Sequence, residues 1–338
     1  MDADLVLEGG GVKGIGLVGA YSALQEAGYE FRRIAGTSAG AIVGALIAAD
    51  IPPDELQRVM REIDYGRFED KGFLDHLGLV GKGTSLLFEK GIYEGTYLRE
   101  WLSEQLAGLG IRTFADLRVE DPGSSLPPER RYRLVVMVSD VTRARLVRLP
   151  WDYPQYGLDP DEQSVADAVR ASMSIPFFYE PVRFTSRDAQ GKEETSFMVD
   201  GGMLSNFPIA VFDRTDGRPP RWPTFGMKLS AKPDAAQRQK YEVHGTISLA
   251  LAMLGTMTGF HDQIHIDEPS ALARTMFVDT YGVRATDFDI DEKVQDLLYN
   301  SGVESAGKFL DGWDFDRYLA EFPPGGVVDL LDLVEGPA

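Results

Sequence analysis

A chain of 338 residues is long enough for one large α/β domain with additions, or for two small domains. Cysteine is absent, which excludes a disulfide framework, a thiolate nucleophile and thiolate metal sites. The formal net charge of −19 makes nucleic acid and anionic surfaces poor partners for the average surface.

The first elements alternate strand and helix. Asp4 to Glu8 reads as a strand that runs into the glycine cluster Gly9-Gly10-Gly11. A helical pattern through Leu17, Tyr21 and Leu24 stops at Gly28, and Phe31 to Ala35 reads as a second strand. A second helix spans about Ala39 to Ala49 and ends at Pro52-Pro53. This order predicts a parallel sheet covered by helices on both faces. The acidic start Met1-Asp2-Ala3-Asp4 lacks the basic residues of a secretory signal, so the expected location is cytoplasmic.

A helix is predicted from Asp54 to Arg61, and the Gly- and Leu-rich stretch Gly72 to Gly95 reads as a lid or substrate-facing insertion. Thr96 reads as the N-cap of a helix from Tyr97 to Leu106. After a turn-rich loop at Pro122 to Pro128, Tyr132 to Val138 and Arg145 to Leu149 form a strand pair. Arg130, Arg131, Arg143, Arg145 and Arg148 are close in sequence; a solvated strand face explains them better than a basic patch. Ser164 to Ser172 is helical in character, and Phe197 to Val199 is a short strand ending at Asp200.

The polar, Pro-rich segment Asp213 to Pro223 is the best candidate boundary. It separates a catalytic unit, 4–212, from a mainly helical extension, 213–338, packed on it. The extension holds one more strand, Thr224 to Leu229, and helices at about Val243–Phe260, Glu292–Leu310 and Asp314–Glu321. The charge-free apolar stretch Gly245–Phe260 has 16 residues, too few for a membrane-spanning helix. Its Met253 and Met257 fit core packing better than an acyl-chain groove. Asp287, Asp289 and Asp291 alternate like the start of a calcium loop, but Glu292 and Leu298 stand where that loop needs Gly and Glu. An acidic helix start explains them better.

Three motifs carry chemistry. Gly36-Thr37-Ser38-Ala39-Gly40 has the form Gly-x-Ser-x-Gly between a strand and an apolar helix. Such a turn exposes the Ser at a sharp bend, beside the positive end of the helix dipole. Gly9-Gly10-Gly11-Val12-Lys13-Gly14 also follows a strand and opens a helix. One reading is a dinucleotide turn, with Glu30 as the acidic residue about twenty positions on. The other is an oxyanion hole made of backbone amides on the same carboxyl-terminal sheet edge as Ser38. Lys13 would orient or screen charge there, or stand exposed on its helix. The third motif is Asp200-Gly201-Gly202, either a self-capped turn or a carboxylate that takes the Ser proton. A His base stays open: His244, His261 and His265 follow Asp200 in chain order, whereas His76 lies in the insertion.

Together these motifs resemble the patatin-like phospholipase family, over about 60% of the chain from Asp4 to Val211. The segment Ala171 to Val182, with Ser174-Ile175-Pro176, resembles the stretch preceding the Asp motif in bacterial members. The resemblance implies a three-layer α/β/α fold with a mostly parallel sheet and a helical C-terminal extension. It implies a Ser38–Asp200 dyad without His, an oxyanion hole at Gly9 to Gly14, and no metal or cofactor in the chemistry. It further implies hydrolysis of acyl esters in glycerophospholipids or lysophospholipids during transient contact with a membrane surface; the sequence names no activating partner. The alternatives are a serine esterase for small soluble esters and a non-catalytic lipid- or dinucleotide-binding module.

Overall fold

In the first crossover unit, apolar strands alternate with apolar helices that bury almost every residue. The computed structural model describes residues 1–63, 95–176, 178–187, 191–230, 256, 268–285, 287 and 289–323. Its strands β1 (Asp2–Leu7), β2 (Glu30–Thr37), β3 (Leu134–Asp140), β4 (Arg145–Leu149), β5 (Val182–Arg187), β6 (Glu193–Asp200), β7 (Thr224–Lys228) and β8 (Thr275–Phe277) form one mixed sheet. The neighbour order is β5-β6-β3-β2-β1-β7-β8, with β4 paired to β3 as well. The run β3-β2-β1-β7-β8 is parallel, whereas β4 and β6 are antiparallel to β3, and β5 to β6. Every residue of β3 and β7 is buried. Their near-continuous apolar runs are those of strands covered on both faces.

The helices are α1 (Ile15–Glu26), α2 (Ala39–Ala48), α3 (Pro53–Glu62), α4 (Thr96–Gly108), α5 (Val165–Ser172), α6 (Pro269–Ala273), α7 (Glu292–Gly312) and α8 (Phe315–Glu321). They lie on both sides of the sheet, which gives a three-layer α/β/α architecture. All ten residues of α2 are buried. A helix apolar all round fits only a core position, and this one packs against β1, β2 and β3. α7 packs along α1, where the Cα of Gly302 meets the Gly16 carbonyl so closely that any side chain would collide. Residues beyond 213 thus supply β7 and β8 to the sheet and α7 to a helical layer.

Three local expectations change. Thr96 is not the N-cap of α4; Gly95 takes that place in the left-handed region, at φ 67°, and Thr96 is the first helical residue. The short strand Phe197–Val199 is the end of an eight-residue strand whose hairpin partner, β5, was not anticipated. β5 alternates inward Phe184 and Ser186 with outward Arg183, Thr185 and Arg187, so its one large apolar residue hides the period. β8 is three residues long, too short for any period. Within the arginine group, Arg143 pairs with Glu194, Arg148 pairs with Asp152, and Arg130 lies over the Trp151 ring. Asp291 caps α7 through the Val294 amide. The insertion at 72–94, all four histidines, Met253 and Met257 lie outside the described residues, as does the helix at 243–260 except for Thr256, which is helical.

Candidate active site

The pairing of β3 decides where the site falls. Val136 and Met137 pair with β4 and also with Gly36 and Thr37 of β2, so β2 and β4 occupy opposite edges. Val138, Ser139 and Asp140 pair with β4 and also with β6, so β6 lies on the edge that β2 uses. β2 ends at Thr37 opposite Met137, and β6 arrives from the other direction to end at Asp200 opposite Val138. Two strand ends therefore meet in one lane of the sheet. Both chains must turn out of it, one at Ser38 and the other at Gly201.

Ser38 makes its turn at φ 53° and ψ −123°, a region non-glycine residues enter at a cost of about 1–3 kcal/mol. The bend is held by close packing. A side chain on Gly40 would lie 2.4 Å from the Leu7 carbonyl, and one on Gly36 would lie 2.3 Å from the Gly40 carbonyl. α2 starts at Ala39, so its positive dipole end and first free amides stand beside Ser38. The Thr37 hydroxyl donates to the Ser205 carbonyl at 3.1 Å, which ties the elbow to the segment after Asp200. Ser38 is only 5% exposed.

Asp200 is 7% exposed. Its Oδ1 accepts from the Gly202 amide at 2.7 Å, and its own amide donates to the Ser174 carbonyl at 2.9 Å. Burial pushes its carboxyl from 3.8 up to about 6, and hydrogen bonds from the Gly202 amide and the Ser38 hydroxyl pull the other way. The Ser38 Oγ also lies 3.2 Å from the Met173 Sδ. A hydroxyl has one proton to give, and a carboxylate accepts it more strongly than a thioether does.

The glycine turn lies against the nucleophile: a side chain on Gly9 would come 3.1 Å from the Ser38 Cβ. Gly11 to Gly14 form a short 3₁₀ turn. Gly11 has φ 55°, and a Cβ there would sit 1.9 Å from the Ala285 carbonyl, so only glycine fits. The Gly9 amide donates to the Asn206 carbonyl, the Val12 amide to Ala285 and the Lys13 amide to Gly10, each at 3.2 Å. Among the described residues, the amides of Gly10 and Gly11 donate to no acceptor.

Beneath the turn lies a charge cluster. Glu8 pairs with Lys228 and accepts the Leu229 amide, and the Asn206 Nδ2 reaches Glu8 Oε1 at 3.3 Å and the Gly9 carbonyl at 3.1 Å. The Lys13 Nζ donates to the Leu229 carbonyl at 3.3 Å, and burial lowers its pKa against the opposing pull of Glu8. The structure thus brings all three motifs together. Sequence reasoning missed Glu8, Ser172, Met173, Ser205, Asn206 and Lys228. The glycines advertise a turn, but no spacing rule marks a polar residue whose partner is more than a hundred positions away.

Residues 5–213 match the patatin-like phospholipase family. The chain belongs to that family. Over 315 residues it is 35% identical to the uncharacterized protein YqhO of Bacillus subtilis, a match that covers 93% of this chain and all of the relative. It is 29% identical to lysophospholipase nte1 of Emericella nidulans over 209 residues, 61% of this chain and 11% of that one. It is similar to the crystal structure of VipD from Legionella pneumophila, with a TM-score of 0.49 and 17% identity, over 91% of this chain and 66% of that one. Family membership places the chain among lipid acyl hydrolases, and the elbow, the glycine turn and Asp200 lie within the matched residues.

Proposed function

We propose that the protein hydrolyses fatty-acyl esters of glycerophospholipids or lysophospholipids through a Ser38–Asp200 dyad. The observation that carries this reading is the meeting of two strand ends in one lane. It sets a strained Ser beside a buried carboxylate whose pKa is raised to about 6. At neutral pH most of that carboxylate is ionised, and it is basic enough to take a proton from a hydroxyl as the oxygen attacks.

In the first half-reaction Asp200 accepts the Ser38 proton and Ser38 Oγ adds to the ester carbonyl. The free amides of Gly10 and Gly11, with the positive end of α2, receive the charge that develops on the carbonyl oxygen. The tetrahedral adduct collapses when the alcohol leaves with the proton from Asp200, which gives an acyl-enzyme. Water then repeats the sequence and releases the fatty acid, returning the proton to Ser38. The reaction needs neither a metal nor a cofactor for its proton and charge balance.

Among the described residues no helix is long and apolar enough to cross a membrane. A lipid substrate would be presented at a membrane surface or in micelles. Mass spectrometry of products from a mixed lipid extract identifies the bond cleaved, with Ser38→Ala as the blank. Release of fatty acid by the wild type alone supports the reading. Equal release by Ser38→Ala, or no labelling of Ser38 by a fluorophosphonate, overturns it. A protein active only on monomeric esters is the small-ester esterase instead.

A further inference from the structure

Three consecutive residues at the end of α5 each touch the dyad. The Ser172 Oγ accepts the Ser38 amide at 2.8 Å, the Met173 Sδ lies against the Ser38 hydroxyl, and the Ser174 carbonyl accepts the Asp200 amide. Ser172 in turn donates its hydroxyl to the Met137 carbonyl at 2.7 Å. Met137 is the β3 residue opposite Thr37 and one before the partner of Asp200. One hydroxyl thus joins the nucleophile's backbone to the strand that sets the register of both dyad members. Ser172 is wholly buried, so bulk water does not compete for either bond.

We propose that Ser172 is a positioning residue for the acyl transfer, resting on the reading of Ser38 as nucleophile and Asp200 as base. The backbone of Ser38 sits in a sparsely populated region that its own φ and ψ preferences oppose. The Ser172 hydroxyl satisfies the amide of that strained residue and anchors it to β3, so Ser38 Oγ stays at a fixed height relative to Asp200. Without the hydroxyl, the amide of Ser38 is buried and unpaired, and the elbow relaxes toward ordinary dihedrals. A misplacement of about 1 Å costs roughly a hundredfold in rate. Ser172 is fully buried and reaches Ser38 through its backbone amide, so its loss should fall on the chemical step rather than on substrate binding.

The test compares Ser172→Ala with Ser172→Thr, which keeps the hydroxyl, and with Ser22→Ala, which removes a buried hydroxyl bonded only to its own helix at the Val18 carbonyl. Each protein is assayed on p-nitrophenyl butyrate and labelled with a fluorophosphonate. The labelling rate constant is read rather than its amplitude, so partial unfolding changes only the amplitude. Ser172→Ala should lose about ten- to a hundredfold in kcat with KM unchanged, and the same factor in labelling rate. Ser172→Thr should recover most of both, and Ser22→Ala should match the wild type. Wild-type rates in Ser172→Ala, an effect confined to KM, or an equal loss in Ser22→Ala overturns the proposal. If Ser172→Ala keeps full rate while Asp200→Asn is inactive, the proposal fails and the dyad stands. If Asp200→Asn is fully active, the dyad itself has failed.

Discussion

Replacing Asp200 by Asn should abolish hydrolysis and stabilise the fold at the same time. A carboxyl whose native pKa lies above its unfolded value binds its proton more tightly when folded. The stability it confers is therefore present below pH 3.8 and is lost as pH rises through about 6. Each pH unit between the two values corresponds to about 1.36 kcal/mol, so ionising Asp200 costs the native state about 3 kcal/mol at pH 7 to 8. Asn does not ionise, and its side-chain oxygen can still accept the Gly202 amide. Denaturant unfolding of wild type and Asp200→Asn across pH 3.5 to 8 reads the difference. The two should be nearly equal at the acid end. The mutant should gain between pH 4 and 6 and level off about 3 kcal/mol ahead. A difference that is flat with pH, or a wild type more stable at pH 8, would refute the claim that burial of this carboxylate strains the site. The gain in stability with loss of activity is the trade expected where a site holds a charge against its surroundings.

The same carboxylate sets the acid limb of activity: kcat/KM on a soluble ester should rise with pH through a midpoint near 6, and a midpoint near 4 would contradict the desolvation argument. Gly11→Ala adds a Cβ 1.9 Å from the Ala285 carbonyl at φ 55°, and should cost at least about 2 kcal/mol by denaturation and 100-fold or more in kcat. Glu8→Gln removes a buried carboxylate that pairs with Lys228 and accepts the Leu229 amide, and should destabilise by about 3 kcal/mol in thermal or denaturant unfolding. At the far end of β1 the buried Asp4 pairs with Arg33, and burial raises its pKa. Arg33→Met should therefore cost about 3 kcal/mol at pH 7 and less at pH 4, where Asp4 can protonate, with kcat/KM of the folded enzyme unchanged.

The elements with strong local signals were legible. β1 and β2 end in apolar residues that run into glycine turns, α1 and α2 carry long apolar runs, and α7 and α8 start at the acidic caps Asp291 and Asp314. Weakly patterned elements were not. β5 has one large inward residue, β8 is three residues long, and Gly95 caps α4 through its backbone conformation rather than through a side chain. For the site, the glycines at 9–11, 36 and 40 were informative, because close backbone approach leaves few residue types that fit. Asn206 and Ser172 were silent, because a single polar residue has no period and its use depends on a distant partner.

Ser38 as the residue at a sharp strand-to-helix bend follows from five consecutive residues: the turn itself leaves no room for a side chain at Gly36, while Gly40 is held to glycine by the approach of β1 at Leu7. The pairing of Ser38 with Asp200 is of another kind. It depends on β2 and β6 sharing one edge of β3 in opposite directions, a register set by the ladders that join β3 to each of them. The same holds for the raised pKa of Asp200, which is a property of burial, and for the acceptors that the Gly9, Val12 and Lys13 amides find. Local sequence determines which turns can form. Only the tertiary structure decides which of them face one another.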